Sequence, residues 1–459
     1  MFQTTRRVLS SCALILGLAA CKDDNNRVIS SHVSPAGHAF QLMPITEKGV
    51  TDIMVSAAWA TDWLNNSQNN TWVPGLAAEM MLSGGTDTLS SAEVLDLLDD
   101  KNAYGHIGPA SDLIYGEVEF PNNHRNAVLP VLADLFQRPV FDPGWFDRII
   151  AQTRDQATQD FPLHVQMWQA SRYAIFGETP QMKFLSATDL DALDAVQPDD
   201  LRQWHKDSFA APPVALVVTG AVNVEDAGEI IDTLLPPPSA TVAEQFEAAP
   251  LTLPDRMIYL HDPAAEKSIL GFLGTLSSTH DGMDGIDLVA ANLFAAGAGS
   301  PLFDAIRTDL GASYGMSMEL LNYSRLQRGF VITGEIDTAK MRQAQDAVLR
   351  AYADFRAAPG LDGLEDTTQR IADNIRQNMV YVSSSATMIR ELLLDGRDPQ
   401  DYHSIADDLA ALTAKDVAQR LQSAFPQAGD LAVFAAGPDP QAFPDACVIT
   451  APEQALECR

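Results

Sequence analysis

The chain has 459 residues, 46% hydrophobic and 20% charged, which is the composition of a folded globular protein and not of a disordered one. With 30 Lys+Arg against 61 Asp+Glu the formal net charge is −31 at pH 7, a field that repels phosphate backbones and argues against a nucleic-acid partner. At about 100–200 residues per domain the length allows two to four domains, and 27 Pro and 28 Gly scattered along the chain exclude a collagen-like or linker-like protein.

Residues 1–20 read as an export signal. Arg6 and Arg7 supply the positive start, and residues 8–20 form an uncharged, mainly apolar run. That run is shorter than the roughly 20 residues a comfortable membrane span needs. It ends in Leu18-Ala19-Ala20-Cys21, which resembles a bacterial lipoprotein cleavage box. The resemblance implies lipidation of Cys21, a polar tether over 21–34 and a lipid-anchored location in the bacterial envelope, facing the periplasm. Lys22 favours the outer membrane. Of the 4 Cys, Cys12 leaves with the signal and Cys21 takes the lipid, so Cys447 and Cys458 remain as an even pair in an oxidising space. They are expected to form a disulfide in a tail over 443–459; so short a loop contributes about 2–3 kcal/mol in the chain-entropy account.

Between these ends, strand-like sequence at 40–44 and 52–59 opens a first half, and 257–260 and 268–273 open a second. Apolar residues recur at intervals of three and four over 140–159 and 339–356, which predicts amphipathic helices. Leu193-x-x-Val196, Asp200-Leu201, Phe209 and the run 215–218 recur as Leu409-x-x-Leu412, Asp416-Val417, Phe425 and 431–434, a constant 216 residues later. The pattern is a capped helix, a turn and a buried strand. We read an internal duplication, too long in period for a solenoid. The Pro236-Pro237-Pro238-Ser239 cluster marks a linker over 236–254, between domains at 35–235 and 255–442. The predicted class is α+β: two duplicated domains, each a mainly antiparallel sheet backed by helices.

In the first half, the segment from Val73 to Thr86 resembles the active-site helix of the pitrilysin/insulinase-type zinc peptidases, which carry an inverted H-x-x-E-H motif closed by Gly-Thr. Two His four apart grip the metal from one helix face, and the Glu activates metal-bound water. Anchored on Gly85-Thr86, the ligand positions hold Leu76 and Met80, while Glu79 occupies the general-base position. A thioether is a poor zinc ligand. The family's third ligand, a Glu some 75 residues further on, has no counterpart, since no Glu lies between Glu119 and Glu178. No cofactor is expected in this chain.

The second half keeps its motif. Ala296-Gly297-Ala298-Gly299-Ser300-Pro301-Leu302-Phe303 continues through Arg307 to Gly311-Ala312-Ser313-Tyr314. This is similar to the family's Gly-rich turn followed by an Arg and a Tyr seven apart, which reach toward substrate in the partner half's active site. The resemblance implies substrate-binding roles for Arg307 and Tyr314, both hydrogen-bond donors suited to a peptide carbonyl or a developing oxyanion. It also implies the non-catalytic type of subunit, inactive alone, with zinc in a homologous partner and a peptide as substrate. The rival reading is a non-enzymatic envelope lipoprotein that uses the fold as a scaffold or peptide-binding module. Gly311-Ala-Ser-Tyr-Gly315 also matches a serine-hydrolase elbow, but the predicted order, helix before and strand after, is the reverse of what that elbow needs.

Overall fold

The computed structural model describes residues 27–241, 244–313 and 315–459; the signal sequence, Cys21 and Tyr314 lie outside the described residues. Among the described residues, twelve strands form two six-stranded sheets. The first is built from β1 (Ser30–Val33), β2 (Ala39–Pro44), β3 (Asp52–Ala60), β4 (Tyr104–Pro109), β5 (Leu113–Pro121) and β6 (Ala215–Gly220). The second holds β7 (Ile258–His261), β8 (Ser268–Leu276), β9 (Met316–Asn322), β10 (Arg328–Ile336), β11 (Ala432–Gly437) and β12 (Cys447–Ile449). Their orders are β1-β2-β6-β3-β5-β4 and β12-β7-β11-β8-β10-β9. All pairings are antiparallel except β2–β6 in the first sheet and β7–β11 and β7–β12 in the second.

The duplication holds in space. β3 and β8 both have 9 residues and are offset by 216 at each end. The helices Pro198–Ser208 and Ala414–Ala424 repeat the same offset with 11 residues each. Each begins from a capping box, closed by Asp200 on Gln197 and by Asp416 on Thr413, which satisfies backbone donors that a helix start leaves open.

Central strands are covered on both faces, which is why they read as unbroken apolar runs. In the first sheet Ile53, Val55 and Ala57 face one core, under the half's own helices, and Met54 faces a second. That second core is closed by Val382, Ala386 and Ile389 of the helix Val382–Leu394, which belongs to the other half of the chain. It is fastened there by Thr219 Oγ1, which donates to the Val382 carbonyl at 2.9 Å, and by Arg390 Nη1, which donates to Ser56 Oγ at 2.8 Å. The exchange is reciprocal. Met167, Ala170 and Ala174 of the helix Leu163–Phe176 share a core with Ile258, Ile269 and Leu273 of the second sheet. Gly271 on β8 makes room for it: a Cβ there would come within 2.9 Å of the Trp168 ring. Each half therefore lends a helix to cover the other's sheet.

Three features drawn from composition are corrected or refined. The expected tether over 21–34 ends early, because Ser30–Val33 forms β1, paired with β2 from Ser30↔Leu42 to Val33↔Ala39. The expected tail over 443–459 is not an appendage, because Cys447–Ile449 pairs with β7 as an edge strand of the second sheet. The disulfide Cys447–Cys458 is present, with Cα atoms 5.8 Å apart, and ties that strand to a closing turn of 3₁₀ helix, Pro452–Cys458. Ala455 and Cys458 of that turn share the core of the borrowed helix Leu163–Phe176. The linker region carries no helix or strand among its described residues, yet it is strapped to both halves. Asn65 holds Gln245 and Glu247 at 3.0 and 2.9 Å, and Gln327 Nε2 donates to the Ala249 carbonyl at 2.6 Å.

Candidate functional site

The helix Val73–Ser83 starts with Pro74 in its first turn, where a missing N–H costs nothing, and continues through the good helix formers Ala77, Ala78, Met80 and Met81. It stops at Gly84-Gly85. Gly85 has φ +83°, and a Cβ there would meet the Leu89 carbonyl at 2.8 Å, so only glycine fits. Thr86 Oγ1 then accepts from the Leu89 N–H at 3.0 Å and holds the turn that leads to the next helix. The Gly-Thr signature is thus a device for ending this helix, and it is intact.

What the helix carries is changed. Leu76 and Met80 are 3% and 1% exposed and belong to the first half's core with Ile107 and Phe146. Neither offers a donor that suits zinc, and both are committed to packing. Glu79, next to Met80 on the helix, is exposed, and partial desolvation by the surrounding protein raises its carboxyl above the usual range. The helix Pro143–Ala157, where the distal ligand would fall, is joined to this one by a hydrogen bond from Trp145 Nε1 to Ser83 Oγ at 2.8 Å. It contributes no Glu. Among the described residues, no group of three or more His, Cys, Asp or Glu is placed to hold a metal ion. These side chains do not fit zinc. The purified chain is expected to carry no stoichiometric zinc and to hydrolyse no peptide alone; about one tightly held equivalent by elemental analysis would sink this reading.

In the second half Gly297 and Gly299, at φ +80° and +87°, shape the turn before a short helix, Pro301–Phe303. Ser300 secures that start: its Oγ donates to the Gly297 carbonyl at 2.9 Å and accepts from the Phe303 N–H at 3.4 Å. The chain then widens into a π-helical turn, Asp304–Asp309. Such widened turns concentrate at functional sites. Arg307 stands exposed on this turn, with its guanidinium over the Phe303 ring at 5.4 Å. Tyr314 lies outside the described residues; the residues before it are held by backbone hydrogen bonds. The Ala312 N–H donates to the Ile306 carbonyl at 2.9 Å, and the Asp337 N–H donates to the Ala312 carbonyl at 2.8 Å.

Lys340 braces this loop, a contact that the sequence pattern does not reveal. Its Nζ donates to the carbonyls of Leu310 and Gly311 at 3.0 Å each, and so pins the loop from 29–30 residues away. Ser313 Oγ donates to the Gly315 carbonyl at 3.0 Å, between the π-helical turn and β9. Helix precedes strand here, so the nucleophile elbow is absent, as the order of predicted elements implies.

Comparison with known proteins agrees with this geometry. Residues 195–362 match the family described as the peptidase M16 inactive domain. A peptidase M16 inactive domain from Pseudomonas fluorescens has a similar structure, at 14% identity and a TM-score of 0.75, with 90% of this chain and 98% of that one covered. The periplasmic protease PqqL from Escherichia coli matches at 13% identity and a TM-score of 0.69, over 96% of this chain and 50% of that one. A mutant of the ferredoxin protease FusC in complex with Arabidopsis ferredoxin matches at 14% and 0.73, over 94% and 48%. At these identities the structural likeness shows the fold alone. The chain spans about half the length of the PqqL and FusC chains. No curated protein sequence matches it.

Proposed function

We propose that this chain is the non-catalytic, substrate-binding subunit of a heteromeric zinc peptidase, completed by an H-x-x-E-H homologue; the match of residues 195–362 to the peptidase M16 inactive domain and the shared fold support the reading. The observation that carries the reading is the contrast between its two motifs. Leu76 and Met80 have been absorbed into the core, whereas Arg307 remains exposed on a turn braced by Ser300 and Lys340. A pure scaffold has no use for that asymmetry. Length supports pairing, since the PqqL protease chain is about twice what this protein covers and so has room for a second unit of similar size. The substrate is a peptide, taken by strand addition at the partner's sheet edge, and the zinc is held by the partner. Purified from its native source, the protein is expected to bring down a zinc-bearing homologue. Recovery of the chain alone, under conditions that preserve other envelope complexes, would leave the scaffold reading in front.

The location belongs to the same proposal. The Leu18-Ala19-Ala20-Cys21 segment supports lipidation at Cys21 and anchoring in the envelope, facing the periplasm, in the outer membrane in preference to the inner. A single acyl chain binds membranes only marginally, and stable anchoring takes more than one. Cys21→Ser is therefore expected to release the protein from the membrane fraction entirely. Retention of the Ser variant through a carbonate wash would show that something other than lipid holds it.

A further inference from the structure

Away from both motifs, a cavity of about 610 Å³ opens beside the borrowed helix Val382–Leu394, against the helices Asp284–Ala295, Ile405–Ala410 and Ala414–Ala424. This is the size range of small-molecule sites, roughly 300–1,000 Å³. Its floor is apolar, with Ile286, Leu392 and Leu409 buried and Met388 half-buried, while Met283 stands exposed at the mouth. Its charge is one-sided. Five carboxylates line it (Asp284, Glu391, Asp395, Asp408 and Asp416) against the guanidinia of Arg397 and Arg420.

Both guanidinia are already committed to carboxylates outside the lining. Arg420 pairs with Asp281 at 2.9 Å and with Asp287 at 2.7 Å, and Arg397 pairs with Asp401 at 3.1 Å. Of the lining acids, Asp284 pairs with Arg328, and Glu391 and Asp395 share Arg325. Glu391 also meets Arg390, which pairs in turn with Glu117. Lining and supporting ion pairs together hold nine carboxylates against five guanidinia. Asp408 and Asp416 are exposed at the edge; Asp408 accepts from Ser404, and Asp416 accepts from Thr413 and is attracted by Lys415. The carboxyl of Asp284 is held above its ordinary range first by desolvation and then, against the pull of Arg328, by Asp395, Asp287 and Asp281.

We propose that this cavity binds a small organic cation with an apolar body. The body covers the floor of Ile286, Leu392 and Leu409, where displaced water is the gain. The ammonium faces the carboxylates at the mouth and relieves their mutual repulsion. An anion is repelled there, and a neutral molecule of the same shape gains only the apolar contact. The ligand would lie against the helix that one half lends to the other, so binding also clamps the join between halves.

Three fluorescent probes titrated into the full chain test this. Dansylcadaverine carries an apolar ring and an ammonium, its N-acetyl derivative carries the same body without charge, and dansylglycine carries a carboxylate. The cation is expected to bind with a saturable blue shift, the acetylated form about five- to tenfold more weakly, and the anion not at all. Asp408→Asn, at an exposed position, should weaken the cation several-fold with an unchanged unfolding midpoint. Met283→Trp, which narrows the mouth, should abolish the shift for the cation and for its acetylated form. Equal binding of cation and acetylated probe would overturn the proposal. So would full binding by a folded Met283→Trp protein, or cation binding that 0.5 M salt leaves untouched.

Discussion

Tyr314→Phe, assayed in the complex with its zinc-bearing partner, is expected to lower kcat by about 10²–10³ with little change in KM. The phenol hydroxyl is a donor, and a donor that tightens on the tetrahedral intermediate contributes to the barrier and little to ground-state binding. Removing one oxygen leaves the ring, the loop and the Lys340 clamp on Leu310 and Gly311 untouched, so assembly and the partner's zinc should be unaffected. On the proposed role, in which its charge also holds the substrate chain, Arg307→Ala should cost a similar factor in turnover and also raise KM. Its stacking on Phe303 is lost at an exposed position, and the unfolding midpoint of the variant is measured beside its kinetics. Hydrolysis by partner alone, partner plus wild type, and partner plus each variant decides the matter. Equal rates in all four would make Arg307 and Tyr314 structural and return the protein to the scaffold class.

How far the sequence discloses this arrangement depends on whether a feature is local. The 216-residue repeat is legible because capped helices and buried strands leave local signatures, and the structure reproduces it in β3 and β8 to the residue. The degenerate helix is legible because Gly85 and Thr86 fix its end whatever its face carries. The helix exchange is not. The Leu163–Phe176 helix shows apolar spacing that would suit either sheet, and only Gly271, a gap 95 residues past Phe176, records which one it covers. Edge strands are hidden for a similar reason. Ser30–Val33 has only 4 residues and alternates exposed with half-buried positions, so composition reads it as tether. Lys340 is invisible because one lysine amine reaching two carbonyls leaves no pattern.

The second large effect concerns stability. Asp287 is fully buried, on the helix Asp284–Ala295, and its carboxylate accepts from Arg420 Nε at 2.7 Å, Arg420 Nη2 at 2.9 Å and Arg328 Nη1 at 3.3 Å. Arg328 is itself 1% exposed, at the start of β10, and Arg420 stands on the helix Ala414–Ala424, so one carboxylate joins three elements. At the offset of 216 that relates the helices Pro198–Ser208 and Ala414–Ala424, Arg420 corresponds to Trp204, which is fully buried. At that helix position one half buries an indole and the other places an arginine paired with carboxylates. That substitution is the expected trade where burying charge costs about as much as pairing returns. Deleting one partner is a different matter. Asp287→Ala leaves two guanidinia with their neighbour gone, one of them in the interior, and is expected to destabilise by about 3–5 kcal/mol. Asp407→Ala removes the exposed partner of Arg376 and should cost about 0–1 kcal/mol. Urea unfolding of the two variants beside wild type measures the difference directly. Equal midpoints for Asp287→Ala and Asp407→Ala would mean that water, not the carboxylate, satisfies Arg328 and Arg420.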